Sequence, residues 1–187
     1  MYALVSLLDE RYAALVEELW EELQRDFGVT RISREQIPHF SYHVADQYNL
    51  EKLEVVMRDA VKEIAPFKVE THGLGIFTGT DPILFVPIIR NPLLAYFHEQ
   101  LWERVSATAT GSRPYYHPDQ WRPHITLTFR NVGHDKLAQI VQRLSQRSFT
   151  WEIHIDKLAV LSTNDKDHET LLVPMQMQAA NLNDDID

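Results

Sequence analysis

The order of predicted secondary-structure elements occurs twice along the chain, and this repetition limits the fold more than any other feature of the sequence. A first apolar strand spans residues 2–8, and residues 10–89 then follow the order helix, strand, helix, strand, strand. Residues 91–175 follow the same order again, about 85 residues later. Such a repeat indicates an internal duplication, and two unrelated α+β halves are the alternative.

Local sequence follows the same repeat. The segment Leu84–Pro87 has the same pattern as Leu171–Pro174, and Leu74–Phe77 resembles Leu158–Leu161. Strands that follow one another as hairpins, with helices between them, predict an α+β fold. We therefore expect a bilobal, pseudo-symmetric molecule with two mostly antiparallel sheets, helices on the outer faces and a central groove.

Hydrophobic periodicity and turn residues define the individual elements. Asn49 and Asn91 are predicted to cap helices, and Gly28 and Pro66 are predicted to end them. The predicted helices are residues 10–27, 50–65, 92–105 and 133–146, and the predicted strands are residues 2–8, 36–44, 67–77, 83–89, 121–130, 149–161 and 170–175.

These elements predict a single bilobal domain over residues 1–175, with lobes formed by residues 10–89 and 91–175. Residues 176–187 are polar and acidic and are predicted to fray as a disordered tail.

Composition excludes several classes of protein. The chain has no cysteine, so disulfides, thiolate metal sites and a cysteine nucleophile are absent. The first apolar run is too short for a signal sequence or a membrane span, so we expect a cytoplasmic protein that binds no membrane. With 27 acidic and 18 basic residues, the net charge of −9 disfavours binding to long nucleic acid.

Two matching motifs carry the chemistry that the sequence predicts. They are Pro38-His39-Phe-Ser41 and Pro123-His124-Ile-Thr126, in equivalent strands of the two halves. Because side chains alternate along a strand, each histidine shares one face with the hydroxyl two residues later.

The polar faces of these strands extend beyond the motifs. His43 is predicted to share the face of His39, and the second polar face is predicted to include Arg122, Thr128 and Arg130. If the halves are related by a pseudo-twofold axis, the two polar faces meet across a groove.

Two imidazoles and two hydroxyls around one point suit in-line chemistry at phosphorus. A neutral imidazole can accept a proton from the attacking oxygen, and an imidazolium can donate one to the leaving oxygen. The Ser41 and Thr126 hydroxyls can donate to the non-bridging phosphate oxygens. This scheme requires neither a metal nor a cofactor.

A single His-x-Ser/Thr match carries little information in a chain with nine histidines, and a third match occurs by this criterion. It is His168-Glu169-Thr170, which lacks the preceding proline and has no counterpart in the other half. We interpret it as a chance match. The strand periodicity and the duplicated placement distinguish the other two.

The two motifs resemble the paired His-x-Thr/Ser motifs of the two-histidine (2H) phosphoesterase superfamily, and most closely its 2′-5′ RNA ligase-like branch. The resemblance implies a bilobal α+β fold with the active site between the lobes. It implies hydrolysis of 2′,3′-cyclic phosphates or related 2′-linked or cyclic phosphodiesters, usually without metal, and in some members 2′-5′ RNA ligation. It assigns His39 and His124 as the acid–base pair and Ser41 and Thr126 as phosphate donors.

The chain departs from the family pattern at two places. Serine replaces the commoner threonine at Ser41, which keeps the hydroxyl, and Phe129 stands where many RNA ligase-like members have a basic residue. Arg122 and Arg130 are candidates to neutralise substrate phosphate. Tyr115 and Trp121, near the second motif, are candidates to stack on a base.

The leading prediction is a metal-independent cyclic phosphodiesterase that acts on a small cyclic nucleotide or a short RNA end. The sequence leaves open which histidine is the base. A module that binds a nucleotide or RNA end in the same groove without turnover is the main alternative. A metal hydrolase with His39, His43 and His124 as ligands is a weaker one, because no metal-binding spacing supports it.

Overall fold

The computed structural model of the chain describes residues 1–30, 36–129, 132–164 and 169–178. Within these residues the helices are α1 (Glu10–Phe27), α2 (Leu50–Glu63), α3 (Pro92–Ser106) and α4 (His134–Leu144). The strands are β1 (Tyr2–Leu7), β2 (His39–Ala45), β3 (Gln47–Tyr48), β4 (Phe67–Glu70), β5 (Gly75–Phe77), β6 (Ile83–Pro87), β7 (Ala109–Thr110), β8 (His124–Thr126), β9 (Glu152–Ile155), β10 (Lys157–Thr163) and β11 (Glu169–Gln176).

The helix boundaries follow from capping residues in the sequence. The Asn49 and Asn91 side chains accept hydrogen bonds from the first turns of α2 and α3, as predicted. Asp9 caps α1 in the same way. Gly28 ends α1 with a φ of 61°, a left-handed conformation that glycine adopts without steric cost.

The sheets confirm an α+β fold in which every described strand pair is antiparallel. A four-stranded sheet has the order β11-β10-β1-β2, and a three-stranded sheet has the order β5-β6-β8. Two smaller pairs are β3-β7 and β4-β9. Each of the larger sheets combines strands from both halves of the sequence, so the sheets do not coincide with the two sequence repeats.

Two of the long predicted strands are each divided in two. Residues 67–77 form β4 and β5, which belong to different sheets, and the chain turns between them at Gly73, with a φ of 66°. The buried Thr71 hydroxyl donates to the Phe149 carbonyl at this point. Residues 149–161 likewise contribute to two strands, β9 and β10, because β9 pairs with β4. The hydrophobic periodicity of the sequence does not show where the chain passes from one sheet to another.

The hydrophobic core lies between the sheets and the helices. The helices bury one face each, including Val16 of α1, Met57 of α2 and Ile140 of α4, all fully buried. The start of the predicted tail also packs here, since Met177 is buried and its amide donates to the Asp156 carbonyl. Residues 179–187 lie outside the described residues. No helix in the described part of the chain has the length and apolar character needed to cross a membrane.

Candidate active site

The two motif strands, β2 and β8, lie against each other where the two larger sheets meet. They bring His39, Ser41, His124 and Thr126 into one cleft of about 280 Å³. Each half of the chain therefore contributes one imidazole and one hydroxyl to the same space, which is the arrangement that the duplicated motifs predict.

Burial follows the predicted alternation within each motif. His39, Ser41, His124 and Thr126 are half-buried in the cleft, whereas the intervening Phe40 and Ile125 are fully buried. The apolar residues thus anchor each strand in the core while the polar ones face the cleft.

Both imidazoles are oriented by the same kind of contact. The Nδ1 atom of His39 lies 2.7 Å from the Ile37 carbonyl oxygen, and that of His124 lies 2.6 Å from the Arg122 carbonyl oxygen. A carbonyl oxygen only accepts, so Nδ1 carries the proton in both rings. In the neutral form, each ring then has Nε2 as its basic nitrogen.

The surroundings of the two imidazoles differ. The His124 ring packs edge-on against Phe77, with centroids 4.9 Å apart, and against Phe85, at 5.1 Å. Burial lowers the pKa of His124 below the ordinary histidine value; the hydrogen bond to the Arg122 carbonyl opposes this, and the charge of His39 adds to it. The two histidines of the cleft therefore differ in their surroundings.

Two tryptophans fix the backbone of the hydroxyl residues. The Trp121 indole N–H donates to the Ser41 carbonyl at 2.8 Å, and the Trp20 indole N–H donates to the Thr126 carbonyl at 3.1 Å. Each bond joins residues from different halves of the chain: the Trp121 bond links the loop before β8 to β2, and the Trp20 bond links α1 to β8.

The prediction that Trp121 stacks on a substrate base is therefore wrong. It is only 3% exposed, and its ring stacks on His98 at 3.7 Å and on Tyr42 at 5.6 Å. A ring enclosed in this way has no free face for a substrate base, and its contribution is to hold the first motif strand in place.

We expect Trp121→Phe to lower the free energy of unfolding by roughly 1–3 kcal/mol, because the partly buried Ser41 carbonyl loses its donor. The phenyl ring can keep the contacts with His98. Urea denaturation measures the change, and Trp102→Phe is the matched control, since Trp102 packs through ring contacts such as that with His43. Equal losses in the two variants would show that the indole hydrogen bond contributes nothing.

The other lower-ranked candidates differ in their positions. Tyr115 lines the cleft and is 75% exposed, so one side of its ring is open to a ligand. Arg122 is exposed but is not among the residues that line the cleft, and it contributes its carbonyl to His124 instead. Arg130 lies outside the described residues.

Two residues predicted on the polar strand faces lie in the core. A bulge in the pairing of β2 with β1 turns His43 inward, where it is fully buried against Trp102. Thr128 is also fully buried, and its hydroxyl oxygen accepts from the Leu84 amide after β8 ends. His43 therefore does not join His39 and His124 as a third ligand in the cleft.

Three further residues line the cleft beside the first motif, and none of them is among the predicted catalytic or substrate-binding residues. Tyr116 is one of them, and burial raises the pKa of this tyrosine against an opposing effect of the Ser41 side chain, so its phenol stays protonated. Arg113 pairs with Asp46 at 2.6 Å. Glu169, the middle residue of the third His-x-Ser/Thr match, also lines the cleft. No local pattern marks these residues, because they reach the cleft from distant loops and strands.

Comparison with known proteins identifies the family. The model of the 2′-5′ RNA ligase superfamily matches residues 12–167. The chain therefore belongs to the 2′-5′ RNA ligase superfamily. A search of curated protein sequences finds no significant match.

Solved structures with the same fold include phosphoesterases. Escherichia coli LigT in its apo form matches with a TM-score of 0.58 and 14% identity, over 94% of this chain and 95% of that one. LigT complexed with 3′-AMP matches with a TM-score of 0.57 and 14% identity, over 96% and 97%. A crystal structure described as a phosphoesterase matches with a TM-score of 0.57 and 13% identity, also over 96% and 97%. At this identity the likeness establishes the fold.

Proposed function

We propose that this protein is a metal-independent phosphodiesterase that hydrolyses a 2′,3′-cyclic phosphate, on a small nucleotide or at a short RNA end. The observation that carries the proposal is the convergence of His39 and His124, one from each half of the chain, on one cleft. Membership of the 2′-5′ RNA ligase superfamily supports the same class of chemistry.

In the proposed reaction, His124 is the general base and His39 the general acid. The lowered pKa of His124 keeps its Nε2 unprotonated over a wider pH range, as a base requires. This Nε2 accepts a proton from water as the water oxygen bonds to phosphorus. The bond from phosphorus to one ribose oxygen breaks, and His39, which enters the step as imidazolium with protons on both nitrogens, donates its Nε2 proton to that oxygen. Proton exchange with solvent then restores both rings.

The hydroxyls of Ser41 and Thr126 would donate to the non-bridging oxygens, where negative charge lies in the transition state. Both hydroxyls lie on strands held by the indole bonds, so the donors are fixed before substrate arrives and little reorganisation is needed.

Base recognition would fall to the open end of the cleft. Tyr115 provides an exposed aromatic surface there, and every base has a face that can stack on such a ring. The Arg113 guanidinium lies in the same part of the cleft, paired with Asp46. A single base and one cyclic phosphate fit a cleft of about 280 Å³ better than a long strand does.

The decisive experiment is a substrate panel in the presence of EDTA. It contains the four 2′,3′-cyclic mononucleotides, a 2′-5′-linked dinucleotide and a short RNA with a cyclic phosphate end. We expect monophosphate to form from at least one cyclic substrate, with a bell-shaped pH profile that reports the two imidazoles.

The same panel tests the alternatives. Binding of the cyclic nucleotides with no product would support a binding module instead. Activity that EDTA abolishes and zinc restores would contradict the metal-independent mechanism. Reaction with the 2′-5′-linked dinucleotide alone would move the proposal to 2′-linked phosphodiesters.

A further inference from the structure

We propose that Glu169 is a positioning residue that holds His39 in its working orientation through the backbone of Ile37. The inference rests on the role proposed for His39. Glu169 lies 132 residues along the chain from Ile37.

Two hydrogen bonds hold Ile37 from opposite sides. Its amide donates to Glu169 Oε2 at 2.8 Å, and its carbonyl accepts from His39 Nδ1 at 2.7 Å. The carboxylate therefore fixes the residue whose carbonyl selects the tautomer and the orientation of the imidazole. An amide that donates to a carboxylate makes a stronger bond than one that donates to a neutral acceptor.

The described residues just before His39 lie outside the sheet. Strand β2 begins at His39, and Gln36, Ile37 and Pro38 belong to no strand. Pro38 has no amide proton, so the Ile37 amide is the last donor before the histidine. The Pro38 carbonyl accepts from Leu8 at 3.3 Å, which is a long bond.

The second motif is held in a different way. The Pro123 carbonyl accepts from the Ile88 amide at 2.9 Å, and the imidazole of His124 packs against Phe77 and Phe85. His39 has no aromatic ring contact of this kind among the described residues. At the second motif, the backbone hydrogen bond to Pro123 and two phenyl rings hold the histidine in place. At the first motif, the hydrogen bond from Ile37 to Glu169 has this role.

The backbone of Glu169 is itself fixed by the sheet. Glu169 is the first residue of β11 and pairs with Thr163 of β10. Because β10 also pairs with β1, which carries β2 on its other edge, all four strands of this sheet define the position of His39 relative to Glu169.

Imidazole nitrogen-15 chemical shifts test the proposal without depending on turnover. In the wild-type protein, we expect both His39 and His124 to be protonated at Nδ1 when neutral. In Glu169→Ala, His39 should change to a mixture of tautomers, whereas His124 should keep the Nδ1-protonated form as an internal control. Signals are assigned from their loss in His39→Ala and His124→Ala.

Turnover supplies the second readout. Glu169→Ala should lower kcat by roughly 10- to 100-fold, with KM changed less than about twofold, because a small displacement of a reacting group is costly while the binding contacts persist. Glu169→Gln keeps an acceptor oxygen and should restore most of the activity. Thr170→Ala, at the exposed next position of β11, is the control for strand damage and should behave like wild type.

The possible failures are distinguishable. A wild-type protein with no turnover would overturn the proposed function, and the nitrogen shifts would still decide the role of Glu169. An active protein in which Glu169→Ala keeps both the His39 tautomer and the wild-type kcat would overturn the positioning role. A rise in KM with unchanged kcat would assign Glu169 to substrate binding and would equally contradict it.

Discussion

Replacing either His39 or His124 with alanine should lower kcat for the 2′,3′-cyclic phosphate by about 10²- to 10⁴-fold, the usual contribution of a positioned acid or base. His39→Ala removes the proton donor for the leaving oxygen, and His124→Ala removes the acceptor for the proton of water. Both side chains line the cleft and neither is part of the buried core, so the fold should persist. Steady-state kinetics with a cyclic mononucleotide measures the effect.

The double variant gives a sharper result than either single one. Because the two imidazoles act in one concerted step, removal of both should cost little more than removal of one. His72→Ala, at an exposed position away from the cleft, is the control and should retain wild-type turnover. If either single variant keeps more than about a tenth of the activity, the two-imidazole mechanism is wrong.

The free energy of unfolding should fall steeply between pH 6.5 and pH 4, because two buried histidines are neutral in the folded protein. Burial lowers the pKa of His43 to about 4 and that of His98 to about 4. In the unfolded chain both titrate near 6.5, so in this interval the unfolded state binds more protons, and stability is lost as the pH falls.

The expected loss is about 3 kcal/mol for each histidine by pH 4, at 1.36 kcal/mol for each pKa unit. Together the two losses are comparable with the whole stability of a small domain, so unfolding near pH 4 is expected. The carboxylates with lowered pKa values, such as Glu22 and Glu63, add their losses only below about pH 4.5. Chemical denaturation at half-unit pH steps therefore isolates the histidines above that point.

A matched variant shows how much of the pH dependence of the free energy of unfolding comes from His43. His43→Phe keeps an aromatic ring against Trp102, and the Tyr48 hydroxyl retains the His43 backbone carbonyl as its acceptor at 3.2 Å. We expect this variant to show a clearly smaller pH dependence than the wild type between pH 6.5 and pH 4.5, because the contribution of His43 is lost while those of His98 and His124 remain. His154→Gln, at an exposed position, should keep the full slope. A wild-type slope in His43→Phe would contradict the account of the buried imidazole.

The sequence predicts the centre of the site better than its surroundings. The alternation at His39-x-Ser41 and His124-x-Thr126 is a local property of a strand. It can therefore be predicted from the sequence without knowledge of neighbouring elements. The predicted alternation fails at His43 and at Thr128. A bulge against β1 and a bond to the Leu84 amide turn these side chains inward, and both features depend on neighbouring strands.

The contacts that distant parts of the chain make around the two motifs could not be predicted. Glu169 reaches Ile37 across 132 residues, and Trp121 reaches Ser41 across 80. Tryptophan in a loop fits equally well with base stacking and with burial, and only the packing against His98 decides between them. The different surroundings of the two imidazoles also depend on tertiary packing, since Phe77 and Phe85 approach His124 from other strands.

The central claim is that both imidazoles act on one phosphorus atom. A crystal structure of the protein with a nucleoside 2′,3′-cyclic vanadate, which mimics the five-coordinate transition state, tests this directly. The account predicts His39 Nε2 and His124 Nε2 each about 3 Å from an apical oxygen, on opposite sides of the vanadium. Vanadate bound by only one of the two imidazoles, or bound outside the cleft, would contradict it.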